Sequence, residues 1–157
     1  MRKIAVAFIV VFVGWTVAFP AAQTSALSPQ AQQEIQNYSL TLPRANELIT
    51  AMEEMTKYVV SLPNFQERMA KTMKMTPAER KAQLEGDPKA MAILKQHNLT
   101  TQDYLVGVPA LRMALMAAQG LTAPNIIASP ANVAFAKANL ATLKPKMDAA
   151  DGIGRGK

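Results

Sequence analysis

From Thr100 to Gly120 the chain reads TTQDYLVGVPALRMALMAAQG, and after Asp103 only Arg112 and Gln119 are strongly polar. The stretch opens with a helix-start signal. Thr100 stands at the N-cap and Asp103 three residues on, while Leu99 and Tyr104 occupy the N′ and N4 positions of a hydrophobic staple. Gly120 supplies a stop. A helix over about 103–119 would be apolar nearly all round, and such a helix must be buried on most sides. It therefore demands a shell of other elements. Gly107 and Pro109 lie inside it. Proline donates no amide and its ring crowds the carbonyl four residues back, so a kink is expected.

The rest of the chain offers helices for that shell. Leu48, Ile49, Met52, Met55, Val59 and Leu62 recur every three or four residues and predict a helix over about 42–62 with one apolar face. Glu53 and Lys57 stand four apart in the favourable order on another side. Pro63 is read as the start of a shorter helix carrying Phe65, Met69 and Met73 on one stripe. TPAE at 76–79 is a capping box with Pro77 at N1, and Gly86 ends that helix. Asp87 with Pro88, and Ser129 with Pro130, start two more, the last through SPANVAFAKANLATL. LTAPNIIA between Gly120 and Ser129 reads as a loop. No alternating strand pattern of useful length and no fixed-period repeat occurs.

With one Trp, three Tyr and five Phe among 157 residues, but abundant Ala and ten Met, the chain suits helices packed through small and flexible side chains. The expected fold class is all-α: a single compact bundle of five or six short helices around the kinked 103–119 helix. The expected division is a signal peptide at 1–26, a polar linker at 27–41, a helical domain at 42–146 and a flexible tail at 147–157.

The first segment reads as an address. Arg2 and Lys3 precede the uncharged run IAVAFIVVFVGWTVAF, Pro20 breaks it, and small residues follow in PAAQTSA. Cleavage after Ala22 or Ala26 is expected, giving a periplasmic or secreted protein with no membrane span after cleavage; an uncleaved anchor is the competing reading. Of 17 Lys+Arg, loss of Arg2 and Lys3 leaves 15 against 11 Asp+Glu, a charge near +4 in place of +6. That is mildly basic, with no Lys/Arg block and no basic stripe interleaved with aromatics, so nucleic acid is not an expected partner. The chain has no cysteine. That removes disulfides, thiol catalysis and thiolate metal sites.

No catalytic constellation is visible, and the expectation is a non-enzymatic protein with no cofactor. There is no Gly-x-Ser-x-Gly elbow. His97 is the only histidine and stands at a helix C-terminus, where a cationic group suits the helix dipole. Glu53 and Glu54 are adjacent, about 100° apart on a helix, and diverge. GIGRGK near the C-terminus lacks the strand and helix that a phosphate loop requires. Met69 and Met73 are read as core filling, since thioethers suit irregular gaps between helices, and Met75 as a connector. A Cu(I) site would instead need methionine sulfurs converging where metal can enter. No metal site is expected.

The one place where chemistry could gather is the kink. A missing side chain at Gly107 and a missing hydrogen bond at Pro109 could open an apolar pocket lined by Leu105, Val108, Leu111, Met113 and Met116. Tyr104 would supply a polar handle and Arg112 a positive one for an acyl carboxylate. Otherwise neighbouring side chains fill the gap, as close packing favours. The expected partner is a small apolar ligand of unknown identity or an envelope protein.

Two resemblances bear on function. MTPAE at 75–79 and LTTQD at 99–103 resemble the Leu-Thr-x-x-Gln repeats of the Spy/CpxP periplasmic chaperones, with Glu79 and Asp103 in place of Gln. That resemblance implies a helical cradle for unfolding clients. The order YSLTLPRANELITAMEEM, LTTQDYLVGVPALRMALMAAQG, SPANVAFAKAN is similar to small exported helical proteins of unassigned function in Gram-negative bacteria, and implies no activity. The expected function is an exported small binding or interaction protein. A chaperone of the Spy/CpxP kind is the alternative, and a methionine-based copper protein a third.

Overall fold

The computed structural model describes residues 28–153. The segment 1–26, read as a signal peptide, lies outside them, as does 154–157. The described residues form seven helices and no strand: α1 (Pro29–Asn37), α2 (Leu42–Ser61), α3 (Phe65–Lys74), α4 (Pro77–Glu85), α5 (Pro88–Gln96), α6 (Thr101–Ala118) and α7 (Pro130–Gly152). The all-α expectation holds, with more helices than the five or six expected.

Local chemistry explains most of the starts. Ser28, Thr41, Thr76, Asp87, Thr100 and Ser129 each accept an amide hydrogen bond from the first turn of the helix they precede. Both capping boxes are complete. The Thr76 amide donates to Glu79 at 2.7 Å, and the Thr100 amide to Asp103 at 3.0 Å. Proline stands in the first two positions of α1, α2, α4, α5 and α7, where a missing amide costs nothing. Only α3 lacks a side-chain cap. It begins at Phe65, two residues after Pro63, because Asn64 takes a left-handed conformation (φ 58°) that turns the chain out of α2. Asparagine is one of the few residues that adopt this conformation readily.

The core is built by α2, α6 and α7, with α5 closing one side. Leu48 of α2, Leu94 of α5, Leu111 of α6 and Leu143 of α7 are the largest fully buried side chains. α6 packs against α1, α2, α4, α5 and α7, which is the central place expected of it, and runs unbroken through Gly107 and Pro109. Its loss of one intrahelical bond at Pro109 is offset by burial of Ala110, Leu111, Ala114 and Leu115 on the same stretch. α2 carries Leu48, Ile49, Met52 and Met55 inward, as its periodicity predicts. Lys57 pairs with Glu53 at 2.6 Å on the outside.

Two segments depart from expectation. Residues 29–37, read as linker, form α1 on the flank of α6. Ile35 is buried, and Gln102 of α6 donates to Glu34 at 2.8 Å. The chain then passes inward at Leu40, held by Asn132 of α7. That side chain donates to the Tyr38 carbonyl at 2.7 Å and accepts from the Leu40 amide at 3.2 Å. Residues 147–152, read as flexible tail, continue α7 past Pro145. Met147 and Ala150 are buried, and Asp151 forms an ion pair with Arg112. The proline removes one hydrogen bond, but the packing of the next two turns against the body outweighs that loss.

The methionine stripe of α3 also departs from expectation. Met69 is 41% and Met73 69% exposed, and neither α3 nor α4 contributes a buried residue. The stripe exists, but among the described residues no element covers most of it.

Candidate functional site

The eight residues expected around the kink are not gathered about one cavity. Leu111 is fully buried and Gly107 is buried. A Cβ placed on Gly107 would come within 2.8 Å of Tyr38 Cζ and 2.9 Å of Leu48 Cδ1, so those two side chains occupy the gap. Tyr38 belongs to the segment that the sequence alone places in a linker. Its hydroxyl donates to Asp103 Oδ1 at 3.2 Å, and burial together with the Asp103 carboxylate pushes the phenol up to about 12. Val108, Met113 and Met116 are half-buried. Arg112, expected as a handle for a carboxylate, already has one in Asp151 and also reaches Met52 Sδ at 3.3 Å.

Only Tyr104 and Leu105 of the eight line a cleft, and it opens on a different side, toward α3 and α4. This cavity is about 210 Å³. Its floor comes from the last two turns of α2 through Met55 and Val59, and from Leu62 just after that helix. Leu84 of α4 and Tyr104 and Leu105 of α6 form a second apolar wall. Met69 of α3 overhangs it, and polar groups of α3 and α4 (Arg68, Thr72, Arg80 and Gln83) line it from the outer side. The placement follows from the connections. The left-handed turn at Asn64 sends α3 off the end of α2, its one substantial packing partner among the described helices, while α4 is tied to α5 and α6. The two helices thus reach the cleft from different neighbours.

Its electrostatics centre on Asp87. Burial works against the charged carboxylate. The amides of Ala90 and Lys89 donate to it at 3.1 and 3.0 Å, and the Tyr58 hydroxyl at 2.8 Å. Those bonds outweigh the burial and hold Asp87 below the ordinary carboxylate range, because each favours the charged form. Arg68 adds to that lowering. The same hydrogen bond to Asp87 raises the Tyr58 phenol. Tyr104, on the opposite wall, is pushed up to about 12 by burial, against the nearby charge of Arg112, and stays neutral at any ordinary pH.

A broader depression of about 800 Å³ lies along α5 and the start of α6, but Lys81, Glu85, Lys95 and Gln102 edge it and it is open to solvent. His97 caps α5 as expected. The sequence does not disclose its neighbour: Nε2 lies 3.2 Å from Glu54 Oε1 of α2, though without the alignment of a hydrogen bond. Among the described residues no group of three or more His, Asp or Glu side chains is placed to hold a metal ion, and no helix is long and apolar enough to cross a membrane.

No family model, no curated protein and no solved structure matches this chain.

Proposed function

We propose that the protein is a small exported binding module that takes a compact apolar ligand in the cleft beneath α3 and α4. One observation carries this reading. The end of α2 and the start of α6 leave apolar side chains facing two helices that have no fully buried residue of their own. Concave apolar surface with a few polar groups at its edge is the usual form of a small-molecule site. The cleft measures about 210 Å³. Drug-sized pockets run to roughly 300–1,000 Å³, so the ligand is small or displaces α3 on binding. Export rests on the charge, apolar run and small-residue exit of residues 1–26. N-terminal sequencing of the envelope form tests the cleavage: a start between residues 21 and 27 is expected, and an intact Met1 in the membrane fraction refutes the cleaved, soluble form.

Binding is tested with 1-anilinonaphthalene-8-sulfonate and with 1-octanol as displacer. Saturable binding is expected in the natural protein, and its loss in Val59→Trp, which fills the floor of the cleft. If the dye binds equally to both proteins, the cleft is not the site.

A chaperone of the Spy/CpxP kind is the second reading, favoured by the exposed Met69 and Met73 on a helix that also carries Arg68, Lys71 and Lys74. Flexible methionine surfaces adapt to many partners. Against it, both Thr-x-x-acid motifs are fully employed as helix caps. Suppression of aggregation of several unrelated clients near one-to-one would favour the chaperone; none across the set would exclude it.

A further inference from the structure

The cleft has a chemical asymmetry that names a ligand class. Its walls are apolar, whereas its outer side carries two arginines, Arg68 from α3 and Arg80 from α4. Among the described residues neither side chain makes a hydrogen bond or an ion pair, in contrast to Arg44, which bonds Glu47 and the Asn98 carbonyl, and Arg112, which bonds Asp151. Among the described residues the one carboxylate lining the same cleft, Asp87, has both oxygens committed: Oδ1 accepts from two amides and Oδ2 from the Tyr58 hydroxyl. It offsets part of the positive charge but offers little room for a fork-to-fork pair. The net charge of the lining groups is therefore positive, next to an apolar floor.

Resting on the reading of the cleft as a binding site, we propose that its ligand is an amphipathic monoanion. A short apolar chain lies over Val59, Leu84 and Leu105, and the anionic head meets Arg68 and Arg80. A planar guanidinium suits a carboxylate or sulfate head better than an ammonium would, because it offers two parallel donors. The two arginines sit on helices with different anchors, α3 on α2 and α4 on α5 and α6. A bound anion therefore links elements that hold each other only loosely, and it draws α3 down onto the apolar chain. A ligand that closes the site in this way binds more tightly than the open cleft alone would suggest.

The test is a calorimetric titration of the protein purified from the envelope with four probes of equal chain length: octanoate, octyl sulfate, 1-octanol and octylamine. Octanoate and octyl sulfate should bind about tenfold or more tightly than octanol, and octylamine more weakly still. Octanoate affinity should fall as salt rises from about 0.05 to about 0.5 M, while octanol affinity holds, because ions screen only the charged head. Arg68→Gln and Arg80→Gln should each weaken octanoate by about fivefold to tenfold and octanol by much less. Both arginines are exposed, so these variants keep the fold, which circular dichroism confirms. Octyl sulfate against octanoate tells a tetrahedral head from a planar one. Octanol binding as tightly as octanoate, or octanoate binding undiminished when Arg68→Gln and Arg80→Gln are combined, overturns the anionic head while leaving the cleft as an apolar site. No binding by any probe overturns both. Octanoate binding unchanged in Val59→Trp puts the anion elsewhere and overturns the proposal.

Discussion

The junction of α2, α6 and α7 and the α3–α4 segment are made from similar side chains to opposite effect. In the first, Leu48, Leu111 and Leu143 are completely buried, and even a glycine is packed against a tyrosine ring. In the second, a pair of helices carrying methionine, phenylalanine and leucine has no fully buried residue. Amphipathicity in a helix states which face can be buried. Whether it is depends on how many partners the chain can bring to it. α6 packs against five other helices, and α3 has substantial packing with α2 alone. A helix with one main neighbour leaves part of its apolar stripe free, and here Met69 of that stripe lines the cleft.

The contrast breaks if truncations in the two regions cost the same. Leu111→Ala in α6 should cost about 2–5 kcal/mol, the range for emptying a fully buried leucine site, read from urea denaturation midpoints. A value under about 1 kcal/mol would mean that the core relaxes freely and the tight packing is illusory. Gly107→Ala sharpens the claim from the other side. A methyl group there meets Tyr38 and Leu48 below 3.0 Å. It should therefore destabilise by about 1–3 kcal/mol, although alanine favours helix at an open position. Adding Tyr38→Ala to Gly107→Ala should recover part of the loss attributable to the methyl group. If it recovers none, Tyr38 is not what fills the gap.

The caps lie between the two extremes. Asp103→Ala should cost about 0.5–2 kcal/mol. The folded protein holds the Asp103 carboxyl below its ordinary value. Burial opposes that shift, but hydrogen bonds from Thr100 and Tyr38 and the charge of Arg44 outweigh it. A depressed folded value means that the stabilisation is complete above about pH 5. It is lost as pH falls through the ordinary aspartate range and then through the lower folded value. Asp87 behaves in the same sense. Acid denaturation followed by circular dichroism should therefore be shallower in Asp103→Asn than in the natural protein between about pH 5 and the acid limit. Equal slopes would remove Asp103 from the account.

The smallest effect belongs to α3, where Met69 and Met73 are exposed. Met73→Ala should change stability by about 0.5 kcal/mol or less, as at other exposed sites, and Met69→Ala by about 1 kcal/mol or less. A loss of about 2 kcal/mol at Met73, the lower end for a buried methionine, would show that something covers the stripe in solution. A second chain is the first candidate, and repeating the measurement at tenfold lower concentration identifies it.

Much of the architecture is written locally. Thr76 with Glu79, Thr100 with Asp103, Asp87 with Pro88 and Ser129 with Pro130 each start a helix because the groups that satisfy its free amides lie within three residues. The inner face of α2 is likewise legible, since a 3.6-residue period survives whatever the helix packs against. The same local rules misjudge both ends of the described chain. The polar run around QAQQEIQN hides a single buried Ile35, and it leads to a Tyr38 that fills space left by the distant Gly107. Pro145 and the small residues after it read as an ending, yet Met147 and Ala150 join the core and Asp151 pairs with Arg112 of α6.

The candidate site is legible only in part. Tyr104 and Leu105 are identifiable because an all-round apolar helix must present something to every neighbour. The other side of the cleft is not, because Val59, Arg68, Arg80 and Leu84 come together only through the turn at Asn64 and the docking of α4 on α6. The sequence by itself determined an all-α chain, the starts of α4, α5, α6 and α7 and the centrality of α6, because caps and periodicity act over a few residues and need no knowledge of the rest. Tertiary structure alone decided that Gly107 is filled, that among the described residues Arg112 is paired while Arg68 and Arg80 are not, and that Met69 and Met73 stay exposed. Each of those depends on which distant side chain arrives at a given space, and contact between residues far apart in the chain leaves no period to read.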